Sequence, residues 1–210
     1  MIDSVHLYVT AWESGGVFLF DFDFETGTVQ FREQYLDGVD GFDALAGAEE
    51  LVAGPDGSVL YVAGHDDDAI AVLARAPDGT LTPRDVQALP DGVVGVTKIA
   101  TLGSRRLVAL AETEDLGKGV MLVYDLDSVD GRLTLSQSFV EGEDGVVGLP
   151  GRHSLDAGFA YSPSTLSTSP DGRHVYIRRK SPQSITVFTT DLHADDFESG
   201  DLSRWTSIGP

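Results

Sequence analysis

Three short phrases return in the same order along this chain, and that periodicity limits the possible folds more than any composition figure does. Asp-Gly-Val stands at Asp37-Gly38-Val39, Asp91-Gly92-Val93 and Asp144-Gly145-Val146, each with a glycine two residues further on (Gly41, Gly95, Gly148). The central glycines of the phrase are 54 and 53 residues apart. A second phrase, Pro-Asp-Gly, two variable residues, then apolar-Tyr-apolar, runs from Pro55 to Val62 and again from Pro170 to Ile177, with weaker versions at His6–Thr10 and Ser104–Ala109. Between them lie apolar quartets: Val17–Phe20, Ile70–Leu73, Met121–Tyr124 and Ile185–Phe188.

Each unit reads as short strands with turn chemistry between them. Runs of four to seven residues rich in Val, Leu, Tyr and Phe are bounded by Pro-Asp-Gly, Asp-Gly or Gly-Gly; in Pro-Asp-Gly, proline presets φ and glycine accepts the positive φ that a Cβ resists. Thr26-Gly27, Asp78-Gly79 and Asp130-Gly131 mark a second hairpin turn in each unit. No segment keeps a 3.6-residue apolar spacing, so the expected fold class is all-β. A repeat of about 50 residues with four antiparallel strands matches the blade of a β-propeller, its sheets fanning about a common axis.

The units fall at 1–41, 42–95, 96–148 and 149–190, the last with an insertion at 149–165, followed by an acidic tail at 191–210. They are expected to hold three, four, four and three strands, about 14 in all, the first unit lacking its inner strand and the last its outer one. These two gaps do not fill each other, which implies an incomplete or open part of a larger propeller. The competing arrangement is a four-bladed ring whose missing outer strand comes from residues 191–205.

Ser169-Pro170-Asp171-Gly172 with Val175-Tyr176-Ile177 and Val187-Phe188, and Pro55 to Val62 with Ile70–Leu73, resemble the repeats of lactonase-like and YVTN-type bacterial propellers. The resemblance covers roughly residues 1–190. It implies a propeller, usually of seven blades, found among both sugar-lactone hydrolases and non-catalytic extracellular proteins. The matching residues are turn and core positions, which speak for fold rather than activity. The tail, Asp195 to Trp205, resembles a phrase that closes many secreted bacterial proteins. The first residues have neither a basic start nor a long apolar stretch. The expectation is therefore a C-terminal part of a secreted or cell-surface protein, with no signal peptide in this chain.

In a propeller, the loops after the second and fourth strand of each blade emerge on one face. That face here gathers His65-Asp66-Asp67-Asp68, Glu112 to Asp115, Asp37, Asp40, Asp91, Glu141, Glu143 and Asp144. His65, Asp66 and Asp68 are the candidate ligands for a divalent cation, because carboxylates suit hard ions. No other cofactor is predicted, and the loop lacks the spaced calcium-binding pattern, so solvated turn residues are the competing reading. A lactonase needs a base to activate water and a cation for the developing oxyanion. Glu112 or His65 is the candidate base and Arg152 the candidate cation. No nucleophile elbow, phosphate loop or His-Glu-x-x-His motif is present.

Thirty-four acidic residues against 14 basic ones give a formal charge of −20. Such a surface repels phosphate backbones and anionic lipid heads, which argues against nucleic acid and membrane insertion. Zero cysteines exclude a disulfide framework, thiolate catalysis and cysteine-ligated zinc. The partner is then an unidentified small molecule or protein at the loop face. Two functions fit: a non-catalytic extracellular binding or scaffold module, which the lack of a convergent catalytic set favours, and a lactonase-like hydrolase of a small sugar lactone.

Overall fold

The computed structural model describes residues 4–115, 117–151, 165–179, 184–190 and 205–208. Four antiparallel meanders follow one another along the chain. The first sheet is β1 (Ser4–Ala11), β2 (Gly16–Asp23) and β3 (Thr28–Leu36), paired in that order. The second is β4 (Ala48–Ala53), β5 (Val59–Gly64), β6 (Ala69–Arg75) and β7 (Leu81–Ala88). The third is β8 (Val93–Leu102), β9 (Arg106–Thr113), β10 (Gly119–Leu126) and β11 (Leu133–Val140). The fourth is β12 (Thr165–Thr168), β13 (His174–Arg179), β14 (Ser184–Thr190) and β15 (Trp205–Ile208).

The all-β reading holds, with four antiparallel sheets and the 14 strands expected. β15 is a further strand, at the end of the stretch where the competing arrangement looked for an outer one. The sequence reading ends the last sheet at its third strand, whereas Trp205–Ile208 pairs antiparallel with β14, Ile208 opposite Val187 and Trp205 opposite Thr190. A four-residue strand flanked by Ser, Asp and Gly carries too little apolar pattern to be read without its partner. The first sheet does lack an inner strand among the described residues.

The repeated phrases work through their turns. All six glycines of the Asp-Gly-Val-x-Gly phrases have positive φ, between 65° and 92°. In Pro-Asp-Gly, Asp56 Oδ1 accepts hydrogen bonds from Ser58 N at 2.9 Å and Ser58 Oγ at 2.7 Å. The bond from the Ser58 amide holds the Asp56 carboxyl below the usual aspartate range. The outer strand pairs of the first three sheets share a one-residue register shift, at Leu19/Phe20, Val72/Leu73 and Val123/Tyr124. In the second sheet the shift accommodates Pro83, which has no amide to give a regular ladder.

The chain forms two compact units. One holds the first two sheets with Gly95–Ile99 and Val129–Arg132; the other holds the rest of the third sheet and the fourth. The first unit's core joins Val17, Leu19 and Tyr35 to Leu60, Val62, Ala71, Leu73 and Leu81. The second unit's core joins Leu110, Met121, Val123 and Phe139 to Val175, Ile177 and Phe188. Tyrosines at one repeat position bind adjoining hairpins in the first unit: Tyr8 Oη donates to Gly79 O, and Tyr61 Oη to Gly131 O at 2.8 Å. Gly79 and Gly131 have positive φ, and a Cβ there would stand 2.6 Å from the His6 ring and 2.9 Å from Val59 respectively. The hairpins come this close only because those positions are glycine.

Candidate functional site

Two glutamates at the start of β4 form a partly buried charged cluster in the first unit. The ladder between β4 and β5 pairs Ala48 with Gly64 and then Leu51 with Val62, so β4 carries one residue more than its partner over this stretch. The extra residue falls at Glu49-Glu50. Such bulges redirect side chains and are common beside functional sites. The matching pair in the fourth sheet, β12 with β13, has no shift.

The bulge brings both carboxyls against the Lys98–Ile99 segment. Lys98 Nζ donates to Glu49 Oε1 at 2.6 Å, a short charge-assisted bond between side chains only 20% and 19% exposed. Glu50 Oε2 accepts from Ile99 N at 2.8 Å, and Thr10 Oγ1 of β1 donates to the Glu49 carbonyl at 2.9 Å. Burial raises the Glu50 pKa above the usual glutamate value, the Glu49 charge adds to this, and the Ile99 amide and Lys98 oppose it. Glu49 Oε2 is buried with no hydrogen-bond partner. A buried carboxylate oxygen left without a donor is costly, and a water or a substrate hydroxyl would satisfy it. The group thus offers a carboxyl that takes up a proton readily, a fixed ammonium and an open acceptor.

The residues singled out from sequence are placed differently. His65 Nδ1 lies 2.8 Å from Asp66 Oδ1, and its ring packs against Trp12 with centroids 4.6 Å apart. Asp68 closes the same turn, its amide donating to the His65 carbonyl, and its Oδ1 accepts from Gly95 N at 2.6 Å. Asp67 Oδ2 accepts from Ala46 N at 2.8 Å, and burial followed by the charges of Asp37 and Asp43 raises its pKa. These carboxylates therefore tie the loop to Ala46 and Gly95. Among the described residues no group of three or more His, Asp or Glu side chains is arranged to hold a metal ion. Glu112 is half-buried near the end of β9, opposite Gly119, in the third sheet. Arg152 lies outside the described residues.

Glu49, Glu50 and Lys98 were not among the sequence candidates. The available signal was a pair of adjacent glutamates inside an otherwise apolar strand, together with one of only three lysines in the chain. What joins them is a register shift, which the spacing of residues does not display.

Successive antiparallel meanders of this kind are the sheets of a β-propeller, and the comparisons with solved structures agree. Over 97% of its length the chain superposes on half of the periplasmic gluconolactonase PpgL of Pseudomonas aeruginosa, with a TM-score of 0.68 and 17% identity. It covers 53% of a Bacteroides fragilis protein assigned to the 6-phosphogluconolactonases (TM-score 0.63, 14% identity, 97% of this chain). It also covers 52% of a Lactobacillus plantarum protein (TM-score 0.63, 15% identity, 96% of this chain). The chain is thus structurally similar to lactonase-family seven-bladed propellers and spans about half the length of these structures. At such identities the likeness concerns the fold. No family model matches the chain, and no curated protein matches it significantly in sequence.

Proposed function

We propose that this chain belongs to a hydrolase of a small sugar lactone, and that Glu49, Glu50 and Lys98 supply its chemistry. The observation carrying this reading is the β4 bulge, which sets a carboxyl of raised proton affinity beside a paired carboxylate and ammonium. The resemblance in fold to a gluconolactonase supports the reaction class. In the reaction, Glu50 takes a proton from water as the oxygen attacks the lactone carbonyl. Lys98 donates to the oxyanion of the tetrahedral intermediate, and Glu49 holds the ammonium in place. Collapse breaks the ring C–O bond, and the departing alkoxide takes the proton from Glu50. One lactone and one water give one open-chain hydroxy acid.

A site outside the cell is part of this proposal, supported by the tail phrase and by the periplasmic setting named for the Pseudomonas protein. The loop that carries His65, Asp66 and Asp68 in the first unit remains a proposed entry for a ligand. The test is titration of the acid released from D-gluconolactone by the wild type, Glu50→Gln and Lys98→Met, with circular dichroism to check folding. We expect each variant to lose activity about 100-fold or more while keeping its spectrum. Full activity in both would remove these residues from the chemistry. A wild type inert toward a panel of lactones would leave the non-catalytic binding module as the reading.

A further inference from the structure

Segments of the first unit meet at Ala46-Gly47, just before the glutamates of the β4 bulge. In the turn between β1 and β2, Gly15 N donates to Trp12 O at 3.1 Å, and a Cβ on Gly15 would stand 3.5 Å from Ala46 Cα. In the loop between β5 and β6, His65 N donates to Gly47 O at 3.3 Å and Asp66 N to Ala46 O at 3.2 Å. Gly47 has a φ of 64°, and a Cβ there would stand 2.8 Å from Asp66 Cγ, so the approach needs glycine. Thr10, on the strand that leads into Trp12, bonds the Glu49 carbonyl. Backbone contacts thus fix Trp12, His65 and Asp66 beside the segment that carries Glu49 and Glu50.

Trp12 is one of two tryptophans in the chain, and it stands half-buried on a turn. Its ring lies against the His65 ring, centroids 4.6 Å apart and planes tilted by 48°. His65 is itself held by Asp66, whose Oδ1 is 2.8 Å from Nδ1. A braced indole offers a broad apolar, electron-rich plate at little cost in rotamer freedom. The Asp66 side chain is 52% exposed, and the His65 contact leaves its carboxylate further lone pairs to accept with. An apolar plate beside such acceptors fits a ring that carries C–H bonds on its face and hydroxyls on its rim. It does not fit an anion. Burial, then the charges of Asp37 and Asp43, raise the pKa of Asp67 in this same loop end, and Lys98 is bonded to Glu49. The arginines of the unit lie elsewhere: Arg32 and Arg75 bond Asp78 O and Gly57 O, and Arg84 and Arg132 bond Asp130, all in turns at the other end of the meanders.

We infer that Trp12 and Asp66 form a subsite for the ring of an unphosphorylated sugar, the indole stacking on its C–H face and the carboxylate accepting from its hydroxyls. The choice of a sugar as ligand rests on the lactone reading above, whereas the place of the subsite rests on these contacts. His65 is its positioning residue, since it touches both groups. A phosphate on the ring would bring negative charge into the field of these carboxylates, so the subsite selects the neutral form.

The probe is methyl β-D-glucopyranoside, a pyranose with no lactone to open, titrated by calorimetry and by tryptophan fluorescence. We expect saturable binding to the wild type, with a change in emission that Trp12→Phe abolishes, because that variant keeps Trp205 alone. Trp12→Ala and Asp66→Ala should each weaken binding about 10-fold, and Trp12→Phe, which keeps an aromatic plate, no more than about 3-fold. The phosphate ester of the probe should bind at least about 10-fold more weakly at low salt, a gap that narrows as salt is added. Absence of saturable binding would overturn the inference. So would equal affinity in the wild type and Trp12→Ala, or a phosphate ester bound as tightly as the neutral ring. A wild type that binds the probe but opens no lactone supports the subsite and removes the catalytic reading. One that opens lactones with a KM unmoved by Trp12→Ala keeps that reading and removes the subsite.

Discussion

The first and second sheets are built from the same repeat and sit in the same compact unit, but they are buried differently. Every residue of β5 and the first five of β6 are buried, so the second sheet is enclosed on both faces. In the equivalent strands of the first sheet only Gly16, Val17 and Leu19 of β2 are buried, and Leu7 and Val9 of β1 are exposed, so that sheet is enclosed on one. The apolar content of the strands does not make this difference, since the first sheet carries Phe18, Phe20, Phe22 and Phe31. Neighbours make it. In a repeat protein the burial of a unit comes from the units beside it, so one strand phrase can serve as core or as surface.

Substitution of a leucine in each sheet should expose this contrast most strongly. Leu73→Ala, at a residue 1% exposed in the second sheet, is expected to cost about 2–5 kcal/mol in denaturant unfolding. Leu7→Ala, on the open face of the first, should cost no more than about 0.5 kcal/mol. Equal costs would mean that the open face is covered in solution. A smaller effect is expected at the hairpin link. Tyr61→Phe removes the donor to the Gly131 carbonyl and should destabilise by about 1 kcal/mol, with loss of the phenol pKa that burial pushes up to about 12.

The smallest effect belongs to β4, whose equivalent the first sheet lacks among the described residues. Burial raises the pKa of Glu50, so its contribution to stability is full below the ordinary glutamate value and falls as pH rises through the raised one. Glu50→Gln should therefore melt about 1–3 °C above the wild type at pH 8, with the gap closing toward pH 4. A gap that widens on acidification would reverse the sign assigned to this carboxyl.

Strands and turns were legible because their signals are local. Pro-Asp-Gly fixes its own turn through Asp56 and Ser58, and each apolar quartet falls within a strand flanked by other strands. The edge strand β15 was legible only as a competing arrangement, because Trp205–Ile208 becomes a strand only against β14. The loop chemistry was legible in part. His65 and Asp66 do meet, but Asp68 turns to the Gly95 amide, a contact 27 residues away in sequence. The Glu49–Lys98 pair depends on a bulge and spans 49 residues, so no local phrase announces it.

The bond from tyrosine to glycine carries an implication for how such chains lengthen. Its donor lies in one repeat and its acceptor in the turn of the following one, so a duplicated stretch brings a new donor for the next turn and a new turn for the previous donor. Copying or deleting the second repeat leaves each of these seams with both of its halves, whereas the third repeat carries Val108 at the tyrosine position. A chain joined in this way can gain or lose units over evolutionary time without any new joint having to be invented.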